Sequence, residues 1–242
     1  MQFALVEDVV SDPLPGLKGS CRCCGTPTVA KCGQHNIWHW AHKSLVNCDP
    51  WWETETEWHR IWKNRFPKEW QECVNFDPET GEKHIADVKT DQGLVIEFQH
   101  SVMNLEEMKS REQFYNNMVW IIDGCRLESD LASFRLSIEG QIHDNPVAYS
   151  LLWCGLSKLL DNWIQATKPA FIDFGQNILW RLVLYNRTSR KGVIGPIKRD
   201  CLVEKLQGGA LEEWPISVLE DLVADTALLY NGRNESRQLS LF

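Results

Sequence analysis

A chain of 242 residues, 43% apolar and 24% charged, carries enough apolar material for a substantial core and has no low-complexity tract, which excludes a fibrous or disordered protein. Its net charge of −8 argues against a protein that coats nucleic acid through bulk charge, while leaving room for a local basic patch. No apolar run is long enough to span a bilayer, and MQFALVEDVV lacks the basic start of a secretion signal, so a soluble, cytoplasmic protein is expected.

Residues 1–50 hold five of the nine cysteines, a clustering that points to metal rather than disulfides. In CRCCGTPTVAKCGQHNIWHWAHKSLVNC, Cys21 and Cys24 have the spacing of a knuckle that aims two thiolates at one Zn²⁺. TVAKC and NIWHW read as two strands around Gly33, returning His39, His42 and Cys48 to the knuckle. Tetrahedral zinc takes four ligands, so one of Cys21, Cys24, His39, His42 and Cys48 is surplus; His42 is the firmest of the downstream three, then Cys48. Cys23 and Cys32 are read as spectators. A segment this short can hardly bury enough apolar surface to fold unaided, which favours a structural, zinc-ribbon-like module.

From Trp51 to Phe66, WWETETEWHRIWKNRF places Trp58, Ile61, Trp62 and Phe66 at helical spacing, with Glu55, His59 and Lys63 forming a polar ridge every four residues. EWQECVNF reads as a strand and DPETGEK as a turn; HIADV and LVIEFQ flank KTDQG, where Gly93 is free to take positive φ. Asn104 caps a helix running to Met118, and VWIIDG is a short buried strand. The order over 51–126 is therefore helix, three strands, helix, strand. Beyond it, 147–166, 171–186 and 216–230 carry apolar residues at helical spacing and predict a helical domain over 140–232, followed by a flexible tail over 233–242. The stretch WRLVLYNRTSRKGVIGPIKR has six basic residues and no acid, and reads either as a solvated loop or as a phosphate-contacting surface.

Glu97 and Gln99 share one face of their strand, and only nine residues separate Asp87 from Glu97, so the two carboxylates can meet at one end of a sheet. Converging carboxylates are what Mg²⁺-assisted phosphodiester cleavage requires. A solvated helix face beside a polar sheet edge is the alternative.

The element order resembles the core of the PD-(D/E)XK nuclease superfamily, whose signature is an Asp on the second strand and Glu-x-Lys on the third. More closely, the chain resembles the CoiA-like competence proteins. The resemblance rests on Cys21/Cys24, His39-Trp40-Ala41-His42 with Cys48, Glu55-Thr56-Glu57-Trp58-His59, Ala86-Asp87-Val88 and Ile96-Glu97-Phe98-Gln99-His100-Ser101, and runs from the knuckle to about residue 124. It implies an α+β protein with an αβββαβ nuclease core over 51–126, acting on DNA in processing, repair or recombination. Asp87 and Glu97 would ligate Mg²⁺ or Mn²⁺, Gln99 would stand in the lysine position, and Glu55 would extend the acidic cluster. Trp replaces Phe in His-Trp-Ala-His, Thr replaces Ser in the helix motif, and the superfamily prolines are absent. The neutral Gln99 and the acidic net charge favour the alternative, a non-catalytic DNA-binding accessory factor that keeps the nuclease fold.

The chain ends Gln238-Leu239-Ser240-Leu241-Phe242, similar to the peptide by which bacterial replication and repair proteins dock on the DNA polymerase III β sliding clamp. Leu241 and Phe242 would anchor in an apolar pocket and Gln238 would orient the peptide.

Overall fold

The computed structural model describes residues 1–44, 48–51, 53–152, 157–186, 189–209 and 211, with the backbone of 229–230. The chain divides into two units, Met1–Asp91 and Gln92–Phe242. The division falls inside the 51–126 segment. No helix among the described residues is long and apolar enough to cross a membrane.

The first unit opens with five short strands, β1 (Ala4–Val6), β2 (Val9–Ser11), β3 (Lys18–Ser20), β4 (Pro27–Lys31) and β5 (His39–His42), in the spatial order β2-β1-β3-β4-β5. β4 and β5 are the antiparallel pair expected around Gly33, with Thr28 opposite His42 and Lys31 opposite His39. Their core is small: Met1, Ala4, Cys21 and Trp40 are its buried members.

Helix α1 spans only Glu57–Lys63, shorter than the Trp51–Phe66 reading. Thr56 is its N-cap: its hydroxyl accepts the His59 amide while the His59 ring reaches back to the Thr56 amide, a reciprocal capping box. Glu55 precedes that cap, so it does not stand on the helix with His59 and Lys63. The buried face also differs from expectation. Ile61 is 51% exposed, whereas His59, Trp62 and Lys63 are buried. The ridge expected to be polar and outward is turned inward.

A 3-10 turn (Lys68–Trp70) leads to β6 (Gln71–Phe76), which pairs antiparallel with β7 (Lys83–Lys89). The intervening turn is tied by Asp77, whose carboxylate accepts the amides of Glu79 and Thr80 at 2.8 and 3.3 Å. β7 buries His84, Ala86 and Val88 and leaves Ile85, Asp87 and Lys89 half-buried on the other face.

The second unit begins at Gln92, and Gly93 takes φ +80° as the turn reading requires. β8 (Val95–Gln99), α2 (Leu105–Tyr115) and β9 (Met118–Asp123) follow; β8 and β9 are parallel, with α2 as the crossover. Asn104 caps α2 as expected, accepting the Glu107 amide at 2.8 Å. Both strands are buried on both faces, which explains the continuous apolar run 118–122 of β9 and leaves Glu97 and Gln99 of β8 as buried polar groups. α3 (Glu128–Ser137), β10 (Ile138–Asp144), β11 (Val147–Leu152), α4 (Lys158–Trp163), β12 (Ala170–Asp173), β13 (Ile178–Asn186), β14 (Lys191–Lys198), α5 (Arg199–Gln207) and β15 (Leu229–Tyr230) complete the unit. Within it the strand order is β10-β11-β14-β13-β12-β9-β8, mixed because β12 runs parallel to β9 and antiparallel to β13. β15 pairs with β13.

The helical domain expected over 140–232 is therefore corrected. Residues 147–152 are strand, 158–163 are helix, and 171–186 contribute two strands. ILWRLVLYN in β13 is buried from Arg181 to Asn186, so it lacks the polar face that would give period-two alternation. A continuous apolar run satisfies a helical template by default. Residues 216–228 and the tail 233–242 lie outside the described residues. The chain is α+β with mixed sheets.

Candidate functional site

The knuckle is built by backbone before any metal is considered. The Cys21 amide donates to the Thr26 carbonyl, the Gly25 amide donates to the Cys21 carbonyl, both at 2.9 Å, and Gly25 sits at φ +70°. This turns the thiols of Cys21 and Cys24 to one side. Cys48 Sγ lies 3.9 Å from Cys21 Sγ; His42 Nε2 lies 3.2 Å from Cys48 Sγ and 3.5 Å from Cys24 Sγ. All four atoms fall within 4.8 Å of one another. A zinc tetrahedron with Zn–S near 2.3 Å and Zn–N near 2.0 Å has S···S edges of about 3.8 Å and S···N edges of about 3.5 Å. The cluster fits a single structural zinc.

The surplus ligand is His39. Three positions before His42 on β5, it projects from the opposite face, and its Nδ1 pairs with the Ile37 carbonyl at 2.9 Å. The face shared with His42 carries Trp40, which is 1% exposed. Cys23 and Cys32 stand outside the cluster, and the eight described cysteines are all free thiols. Burial pushes the Cys23 thiol up to about 11. Burial likewise raises the thiols of Cys21 and Cys48, and it lowers His42. Cys24 is the exception. Burial opposes its ionisation, but the hydroxyl and amide of Thr26 outweigh that and lower it.

The cluster is fastened to β7 through Asp49. Its carboxylate accepts the Ile85 amide at 2.7 Å and the Trp51 amide at 2.9 Å, and pairs with the buried His84 ring at 2.8 Å.

The first unit also gathers acids around the inward ridge. Lys63 Nζ lies 2.7 Å from the Glu55 carboxylate and 3.0 Å from that of Glu72. Burial alone would lower the Lys63 ammonium, but Glu72, Glu55 and Asp87 outweigh it and hold it above its ordinary value. His59 follows the same pattern: burial works to lower it, while Glu53, Asp87 and Glu55 carry it upward. The β6–β7 register, Gln71 opposite Val88 and Cys73 opposite Ala86, leaves Glu72 at the position facing Asp87. Glu53 and Glu72 were not singled out from sequence. An acid flanked by strand-forming residues in WQECVNF was the available signal for Glu72.

In the second unit Glu97 is 4% exposed and accepts from Arg111 Nη1 at 3.2 Å; Arg111 also pairs with Glu107. Gln99 is buried and its Nε2 donates to the carbonyl and hydroxyl of Ser101 at 3.1 and 3.2 Å. The basic stretch 180–199 is not one surface. Arg181 is buried over the Phe171 ring and Arg199 pairs with Asp173 at 2.9 Å, while Arg187 lies outside the described residues. β13 is buried throughout 181–186, which takes Arg181 inward with its neighbours.

These features define an α+β protein with mixed sheets and an N-terminal Cys3His cluster able to hold a structural zinc. Comparison with known proteins finds no matching family model, no matching curated protein and no matching solved structure.

Proposed function

We propose that the protein is a Mg²⁺-dependent DNA nuclease acting in DNA processing, repair or recombination, of the CoiA-like kind its motifs resemble. The observation that carries this reading is the inward acid–base cluster of the first unit. Glu55, Glu72 and the half-buried Asp87 act together on Lys63, and Asp87 acts on His59 as well. Ionisable groups kept at this density despite their desolvation cost are a mark of a working site. The reading assigns Asp87 and Glu97 to Mg²⁺ or Mn²⁺, with Glu55 extending the acidic cluster and Gln99 in the lysine position. Carboxylate oxygens suit a hard divalent cation, which would polarise the scissile phosphate.

Purified protein with Mn²⁺ should cut DNA, and Asp87→Ala or Glu97→Gln should slow cutting by more than the roughly 10–100-fold that loss of a mere partner of a metal ligand costs. Undiminished cutting by both variants would sink the assignment. One observation favours the second reading, a non-catalytic accessory factor: Glu97 is already neutralised by Arg111. A wild type that binds DNA and never cuts it would decide for that reading.

Gln238, Leu239, Ser240, Leu241 and Phe242 complete the proposal as a docking peptide for the DNA polymerase III β clamp. A clamp ring would supply local DNA concentration that an acidic protein lacks. Deleting these five residues should abolish clamp binding in a biosensor titration, and an unchanged Kd would end that idea.

A further inference from the structure

Parallel strands present their carboxyl ends to a common crevice, and open sheets bind ligands there. β8 ends at Gln99 and β9 at Asp123, with Gln99 paired to Ile122. Beyond these ends lies a cleft lined by Gln99, His100, Asp123, Arg126, Asp130 and Lys158, with a cavity volume of about 30 Å³. That is room for one or two waters beside a group entering from outside.

His100 is the distinctive side chain of this cleft. Its Nδ1 lies 2.7 Å from Asp123 Oδ2, and its side chain is 35% exposed against 7% for Asp123. The other Asp123 oxygen accepts the Cys125 amide at 2.8 Å, which fixes the carboxylate. A carboxylate can only accept here, so Nδ1 carries the proton and Nε2 is the basic nitrogen. A buried acid orienting a half-exposed imidazole is the arrangement that makes histidine a proton acceptor. Gln99, next to it in the chain, lines the same cleft but has no lone pair basic enough to take a proton.

We propose that His100, oriented by Asp123, is the general base for the water that attacks the phosphodiester, supplying in this cleft the proton transfer that Gln99 cannot. The inference rests on the nuclease reading. In the step, the water oxygen forms the new bond to phosphorus as the bond to the leaving sugar oxygen breaks. The water's proton passes to His100 Nε2, and the leaving oxygen takes a proton from solvent. Asp123 is a positioning residue. Arg126, and Lys158 on α4, are the cations at the rim, and Asp130 on α3 is the remaining acid, its carboxyl raised by burial.

The test is the pH dependence of single-turnover DNA cleavage by the full chain with Mn²⁺, for wild type, His100→Gln, His100→Ala, Asp123→Asn and Asp130→Asn, each checked for an unchanged melting curve. His100→Gln should slow cleavage by about 10²–10⁴-fold and abolish the acid limb of the profile. Added imidazole should partly restore His100→Ala, and Asp123→Asn should slow cleavage while keeping the limb. A slow His100→Ala that imidazole does not rescue, or a limb that disappears with Asp130→Asn instead, would leave His100 a structural ion-pair partner and overturn the inference. Full-rate cleavage by His100→Gln would overturn it with the nuclease reading intact. No cleavage by wild type would remove both.

Discussion

Stripping zinc from the purified protein is expected to unfold residues 1–50. One equivalent of Zn²⁺ should be found by mass spectrometry, and a chelator that removes it should abolish amide-exchange protection across β1–β5. The size of the effect follows from how little else holds this segment. Its main apolar cluster buries Met1, Ala4, Cys21 and Trp40, one of them a ligand, and Phe3 is a further large buried side chain of the segment. Structural zinc contributes about 10–16 kcal/mol of apparent free energy in small modules, and no comparable apolar burial stands behind it here. Cys48→Ser should lower zinc affinity sharply, while His39→Ala should retain it, because His39 faces away from the cluster. The loss should spread beyond the module. Asp49 joins the Cys48 loop to β7, and the Glu72 carboxylate accepts the amides of Gln2 and Phe3 at 2.6 and 2.9 Å. Protection in β6 and β7 should fall as well. Native-like protection of β4 and β5 after complete metal removal would show that the cluster is only a set of reduced thiols.

The Cys3His cluster was legible because a set of metal-ligating residues leaves a local trace. Knuckle spacing, a returning hairpin and a small apolar count all lie within thirty residues. Strand periodicity even contained the choice between His39 and His42, since residues three apart face opposite ways. The helices and strands over 57–123 were legible in order for the same local reason: the Asn104 cap, the Asp77 turn and Gly93 each mark a boundary. What failed was any judgement that depends on which face is covered. Glu55, His59 and Lys63 look like a solvated ridge until Glu72, on β6 beyond the end of the helix, supplies a partner. Ile61, taken for a core residue, is left outside. β13 shows the same failure at larger scale. Its neighbours β12 and β14 make it a central strand, and nothing within its nine residues announces them.

Lys63→Met is expected to destabilise the protein by about 3–5 kcal/mol in urea unfolding at pH 7, the cost of breaking a buried ion pair from one side. Lys63 is 1% exposed, and its removal takes from the buried carboxylates of Glu55 and Glu72 the cation they share, leaving Glu55 only Arg60 at 3.4 Å. The dependence on pH distinguishes this from a simple packing defect. Burial alone would raise the Glu72 carboxyl, but Lys63, the N-terminal ammonium and the amides of Gln2 and Phe3 hold it well below its ordinary 4.5. A carboxyl depressed in the folded state contributes stability above its unfolded value and loses it as pH falls through the folded one. Wild type should therefore weaken progressively below about pH 4.5 as Glu72 protonates. In Lys63→Met only the N-terminal ammonium and the two amides still lower the carboxyl, so the acid limb should flatten, and the gap between variant and wild type should narrow towards low pH. Adding Glu72→Gln to Lys63→Met should recover part of the loss, because one of the two stranded charges is gone. A variant within about 0.5 kcal/mol of wild type, the range of an ordinary surface substitution, would mean that Lys63 is not the counter-ion of this cluster.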